Sequence, residues 1–95
     1  MKLYGFLEPA QIEFYEAVSF YNHQREYLGD EFAQEVLNTI NRLKPGPSSQ
    51  TNPAVPDKSF PVQLIYQIRG GRILIVAVAH SRRKPKYWRA RLRPN

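Results

Sequence analysis

Val62-Gln63-Leu64-Ile65-Tyr66-Gln67-Ile68-Arg69-Gly70-Gly71-Arg72-Ile73-Leu74-Ile75-Val76-Ala77-Val78-Ala79-His80 is the stretch that decides how this chain folds. In its first half Val62, Leu64, Tyr66 and Ile68 alternate with Gln63, Ile65 and Gln67, the period-two pattern of a half-buried strand. Gly70-Gly71 suits a two-residue hairpin turn, whose central positions need positive φ. Arg72–His80 is apolar on both faces, with Ile73, Ile75 and Ala77 set against Leu74, Val76 and Val78. A strand covered on both sides belongs in the centre of a sheet.

Upstream, Lys2–Leu7 reads as a short strand, and Pro9 stands at a favoured first helical position. Ala10, Phe14, Ala17, Val18 and Tyr21 then recur at helical spacing, with Glu13 and Glu16 elsewhere on the wheel. This helix is expected to end near Tyr21-Asn22. A second begins around Tyr27 or Leu28, and Leu28, Phe32, Val36, Ile40 and Leu43 form its apolar stripe. Lys44-Pro45-Gly46-Pro47 stops it. A link of about five residues folds the two helices into an antiparallel hairpin. Ser48–Ser59, rich in Pro, Ser and Asn, is expected to be a loop. Downstream, Pro85 opens a short C-terminal helix that runs through Leu92. The expected architecture is α+β, β-α-α-β-β with a short C-terminal helix, in which a small antiparallel sheet packs against a two-helix hairpin.

Ninety-five residues suit a single domain spanning 1–95. With no cysteine, neither disulfides nor thiolate zinc sites are available. The start of the chain lacks the basic-then-apolar run of a signal peptide, and Ile73–Ala79 is too short to span a membrane. A cytoplasmic protein without membrane contact is the expectation. The net charge of +6 is unevenly spread. Residues 1–44 hold four cations and seven anions, whereas residues 45–95 hold ten cations and only Asp57. The second half is therefore a positive pole that steers anionic partners over about 8–10 Å at ordinary salt.

That pole is concentrated after the central strand, in His80-Ser81-Arg82-Arg83-Lys84-Pro85-Lys86-Tyr87-Trp88-Arg89-Ala90-Arg91-Leu92-Arg93. His80 reads either as a general acid or base and phosphate anchor, or as a cap on the strand end. Arg82 and Arg83 point to opposite sides of an extended chain. They suit phosphate or carboxylate, or bridges to Glu13, Glu16 or a protein partner. Trp88 reads as a stacking face for a base or as the cover of a small core. Lys84, Lys86, Arg89, Arg91 and Arg93 offer phosphate contacts or a solvated face. His23 has no second histidine at ligand spacing, so no metal site is expected, and no cofactor motif is present.

The order of these blocks resembles the RelE/ParE superfamily of toxins from bacterial type II toxin–antitoxin modules, the plasmid-stabilisation proteins. The resembling residues are Ala17-Val18-Ser19-Phe20-Tyr21, Leu28-Gly29-Asp30-Glu31-Phe32-Ala33-Gln34-Glu35-Val36, Phe60-Pro61-Val62-Gln63-Leu64-Ile65-Tyr66, and Ile75 to Arg89. The resemblance implies a toxin neutralised by a cognate antitoxin. It implies one of two targets, messenger RNA cleaved on the ribosome or DNA gyrase. In the ribonuclease members cleavage is metal-independent, so the resembling catalytic set here is His80, Arg82, Arg83 and Tyr87, with Tyr87 in proton transfer. Lys84, Lys86, Trp88, Arg89 and Arg91 would contact nucleic acid or the partner. One departure stands out: the family's basic strand after the second helix has no match in Pro45–Lys58. That departure motivates two alternatives, a degenerate orphan member and a non-catalytic nucleic-acid-binding module.

Overall fold

The computed structural model describes residues 4–43, 52–54, 60–81 and 87–92. The elements are β1 (Tyr4–Phe6), α1 (Glu8–Gln24), α2 (Leu28–Arg42), β2 (Asn52–Ala54), β3 (Val62–Arg69), β4 (Arg72–His80) and a 3-10 helix (Tyr87–Arg91). The sheet order is β1-β4-β3-β2, so β4 is internal, as its two apolar faces require. Both helices pack on one face of this sheet, an α+β fold.

Two expectations about the sheet are corrected. The sheet is mixed rather than antiparallel, because β1 pairs parallel to β4, with Gly5 beside Leu74. Within the expected loop Ser48–Ser59, Asn52–Ala54 forms a strand antiparallel to β3. Three residues are too few to show a period, and Pro53 hides them further, since proline in a sheet is confined to edges. β2 is such an edge.

The β3–β4 hairpin turns at Gly70 and Gly71, whose φ values of 56° and 76° a side chain would resist. Its ladder carries a bulge. Ile65 faces Ala77 and Tyr66 faces Ile75, leaving Val76 as an extra residue on β4. The alternation therefore flips there. Ile73, Ile75 and Val78 join the core under the helices, while Val76 and Ala77 join Ile65 in a second cluster. This corrects the expected faces: Val78 belongs with Ile73 and Ile75, and Ala77 does not.

The helix-side core is built from Phe32, Val36 and Ile40 of α2, Ala10 and Tyr21 of α1, and the inward residues of the hairpin. Tyr21, Phe32 and Phe60 form a triangle of rings with centroids 5.0–5.2 Å apart. The helices are joined by a tighter link than expected, Arg25–Tyr27, because α1 runs on to Gln24. His23 accordingly lies in the last turn of α1, its Nδ1–H donating to the Ser19 carbonyl at 2.7 Å. At Gly29 a Cβ would lie 2.1 Å from the Val18 carbonyl oxygen, so only glycine lets α2 start this close to α1. The Gly29 amide donates to Asn22 Oδ1 at 2.7 Å across the same contact.

Candidate functional site

β1 covers only part of the outer edge of β4. It pairs with Ile73–Ile75, and the Leu7 amide adds one bond to the Ile75 carbonyl. Beyond that point the edge is closed by side chains instead of a strand. Glu13 reaches it from α1, and Tyr87 and Arg91 reach it from the 3-10 helix.

The Val78 amide donates to Glu13 Oε1 at 3.0 Å. Arg91 Nη1 donates to the Val76 carbonyl at 3.1 Å and to Glu13 Oε1 at 2.9 Å, and its Nη2 donates to Glu13 Oε2 at 3.1 Å. The Tyr87 hydroxyl donates to Glu13 Oε2 at 2.6 Å and lies 3.4 Å from the Val78 carbonyl oxygen. The Arg91 guanidinium also sits over the Tyr87 ring, 5.1 Å from its centroid. Val76 and Val78 are buried, so the backbone groups they turn to the unpaired edge must find partners, and here three side chains supply them.

The electrostatics follow from this geometry. Glu13 is only 8% exposed. Burial pushes its carboxyl pKa up, but the bonds from Arg91, Tyr87 and the Val78 amide pull harder, and the net result lies below the ordinary glutamate value. The bond to Glu13 raises the pKa of Arg91 further above its already high value, against a smaller opposing cost of burial. Both groups are charged at neutral pH.

The 3-10 helix straddles the edge of β4. Tyr87 and Arg91 turn toward Glu13, while Trp88 and Leu92 pack on the second cluster of Ile65, Val76 and Ala77. Trp88 thus takes the covering role anticipated as one of its two readings. Arg89 is exposed. Of the helix expected from Pro85 to Leu92, the described part is a tighter 3-10 helix over Tyr87–Arg91, and Pro85 and Lys86 lie outside the described residues. Arg82, Arg83, Lys84, Lys86 and Arg93 lie outside the described residues.

His80 ends β4 opposite Val62, and the Ser81 amide closes the ladder on the Pro61 carbonyl at 2.9 Å. The histidine is half-buried and lines a cleft of about 520 Å³ with Glu13, Glu16, Ala17, Phe20, Tyr21, Val62 and Val78. So the structure gathers His80, Glu13, Tyr87 and Arg91 around the end of β4, with Glu13 as the hub. Sequence reasoning placed Glu13 away from the apolar stripe. The available signal was its position between Ala10, Phe14 and Ala17, on the flank of that stripe. Among the described residues no three His, Cys, Asp or Glu side chains are grouped to hold a metal, and no helix is long and apolar enough to cross a membrane.

No family model matches the chain, and no curated protein matches it by sequence. The fold has a counterpart among solved structures. A chain of the chromosomal ParDE TA system from P. aeruginosa superposes with a TM-score of 0.67, over 84% of this chain and 96% of that one, at 11% identity. This chain therefore has the fold of a component of a ParDE toxin–antitoxin system, the fold that its own sequence blocks resemble.

Proposed function

We propose that this chain is the toxin of a toxin–antitoxin module, held inactive by a protein antitoxin, and that it acts by binding DNA gyrase rather than by cleaving messenger RNA on the ribosome. The likeness in fold to a ParDE component supports the first part. The cleft beside α1 supports a protein partner. Its walls include Ala17, Phe20, Tyr21, Val62 and Val78, with Glu16 and His80 among its polar residues, a setting for an apolar segment with polar neighbours.

The observation that carries the choice of target is the engagement of Tyr87. A tyrosine acting in proton transfer must meet the reacting group at hydrogen-bond distance. Here its hydroxyl donates to Glu13 at 2.6 Å, beneath the Arg91 guanidinium. Tyr87 is thereby a positioning residue for the tail, the 3-10 helix Tyr87–Arg91 with Leu92. His80, Arg82 and Arg83 are the residues proposed to meet the target, with Lys84, Lys86 and Arg89 supplying further positive charge.

Induced expression in a bacterial host tests the reading, with growth, messenger integrity and gyrase-linked DNA breaks followed together. The expected result is arrest with broken DNA and intact messenger, relieved by co-expression of the antitoxin and by Arg82→Ala. Cleaved messenger would refute the choice of target, and unimpeded growth would favour the orphan reading.

A further inference from the structure

Arg69 and Arg72 play no part in the tail or the cleft. They flank the Gly70-Gly71 turn and are direct partners across the β3–β4 ladder. Side chains so paired share a face, with Cβ atoms about 4.5–5.5 Å apart, and like charges in that relation repel. The neighbouring pair, Ile68 and Ile73, faces the helix-side core. Alternation therefore puts both arginines on the opposite face of the sheet, with Gln67 and Leu74.

Among the described residues that face carries no carboxylate. The described carboxylates are Glu8, Glu13, Glu16, Glu26, Asp30, Glu31 and Glu35, all on α1, α2 or the link between them. Among the described residues neither arginine has a carboxylate partner. Arg69 donates to the neutral Gln67 Oε1. Next to them β1 contributes Gly5, whose absent Cβ would sit 3.7 Å from Arg72 Nη2. The result is a pocket of about 360 Å³ lined by Gly5, Phe6, Arg69, Arg72, Ile73 and Leu74.

We infer that Arg69 and Arg72, beside the space left by Gly5, form a binding site for a phosphate-class oxyanion. An oxyanion between the two guanidiniums relieves their repulsion and accepts charge-assisted bonds from both planar forks. The tight turn and the regular ladder from Tyr66–Ile75 to Arg69–Arg72 fix the backbone under the pair, and the bond to Gln67 orders Arg69, so the ordering cost at binding falls mainly on the Arg72 side chain. The site is independent of the proposed gyrase target, since neither residue belongs to the tail. The anion can come from a free phosphate compound or from a nucleic-acid backbone.

The test is a titration of the full chain with inorganic phosphate at fixed ionic strength, following the arginine Nε–H and the Gly70 and Gly71 amide resonances by NMR. Saturable shifts are expected at Arg69 and Arg72 and not at Arg42, the control on α2. Arg72→Gln, at an exposed position, is expected to weaken binding by about tenfold or more with the fold intact. Gly5→Glu, which supplies an internal carboxylate, is expected to abolish it. A short single-stranded oligonucleotide that competes with phosphate assigns the site to nucleic acid, and one that does not assigns it to free phosphate compounds. Shifts that do not saturate, or that are the same in wild type and Arg72→Gln, overturn the site.

Discussion

The two faces of the sheet are held by different physics. Under the helices, Phe32, Val36, Ile40, Leu64, Ile73 and Ile75 are fully buried, with aromatic rings packed among them. On the other face three buried apolar residues, Ile65, Val76 and Ala77, are roofed by Trp88 from a 3-10 helix of only five residues and by Leu92 just after it. A helix of fewer than two turns cannot hold itself in place. It is fixed by the polar clasp of Glu13, Tyr87 and Arg91, which crosses from α1 to the tail around the edge of β4. Burial makes the fold, and the clasp decides where the tail sits. Damage to the first should unfold the chain; damage to the second should release the tail and leave the fold standing.

The largest effect should come from the helix-side core. Phe32→Ala removes a ring with no exposed surface, and a loss of about 3–5 kcal/mol in denaturant unfolding is expected. A loss below about 1 kcal/mol would mean that the core is not where the stability resides.

A smaller effect is expected at the clasp. Glu13→Gln keeps the shape but removes the charge that Arg91 and Tyr87 hold, and it should cost about 1–3 kcal/mol, discounted because Arg91 stays partly in solvent. The pH dependence has a fixed sign. The folded pKa of Glu13 is depressed, so its contribution is fully present above the unfolded value of about 4.3 and is lost as pH falls through the folded one. The stability gap between wild type and Glu13→Gln should therefore close on acidification below about pH 4.3 and stay constant near neutrality. A gap that widened on acidification would remove the clasp from the account.

How much of this could be read in the sequence differs between the same two regions. The helix-side core follows from repeating patterns. The stripe on α2, the alternation in β3 and the Gly-Gly turn each carry a periodic or conformational signal. The bulge at Val76 carries none, because a run apolar on both faces reads the same with or without an extra residue. For that reason the assignment of Ala77 and Val78 to faces failed. The clasp joins residues 74 and 78 positions apart, and no local pattern encodes such a pairing. The charge split between the two halves of the chain pointed to an acidic partner for the tail. Part of that partner lies within the chain itself, in Glu13.

The exchange of the Val78 amide with solvent tests the clasp most directly. In the wild-type protein Glu13 accepts its hydrogen, so it should be protected nearly as well as amides inside the β3–β4 ladder, such as Ile65. In Glu13→Ala it should exchange much faster while Ile65 stays protected. A Val78 amide that exchanges freely in the wild type, or that stays equally protected in Glu13→Ala, would contradict the claim that a side-chain clasp closes the edge of β4 and sets the position of the tail.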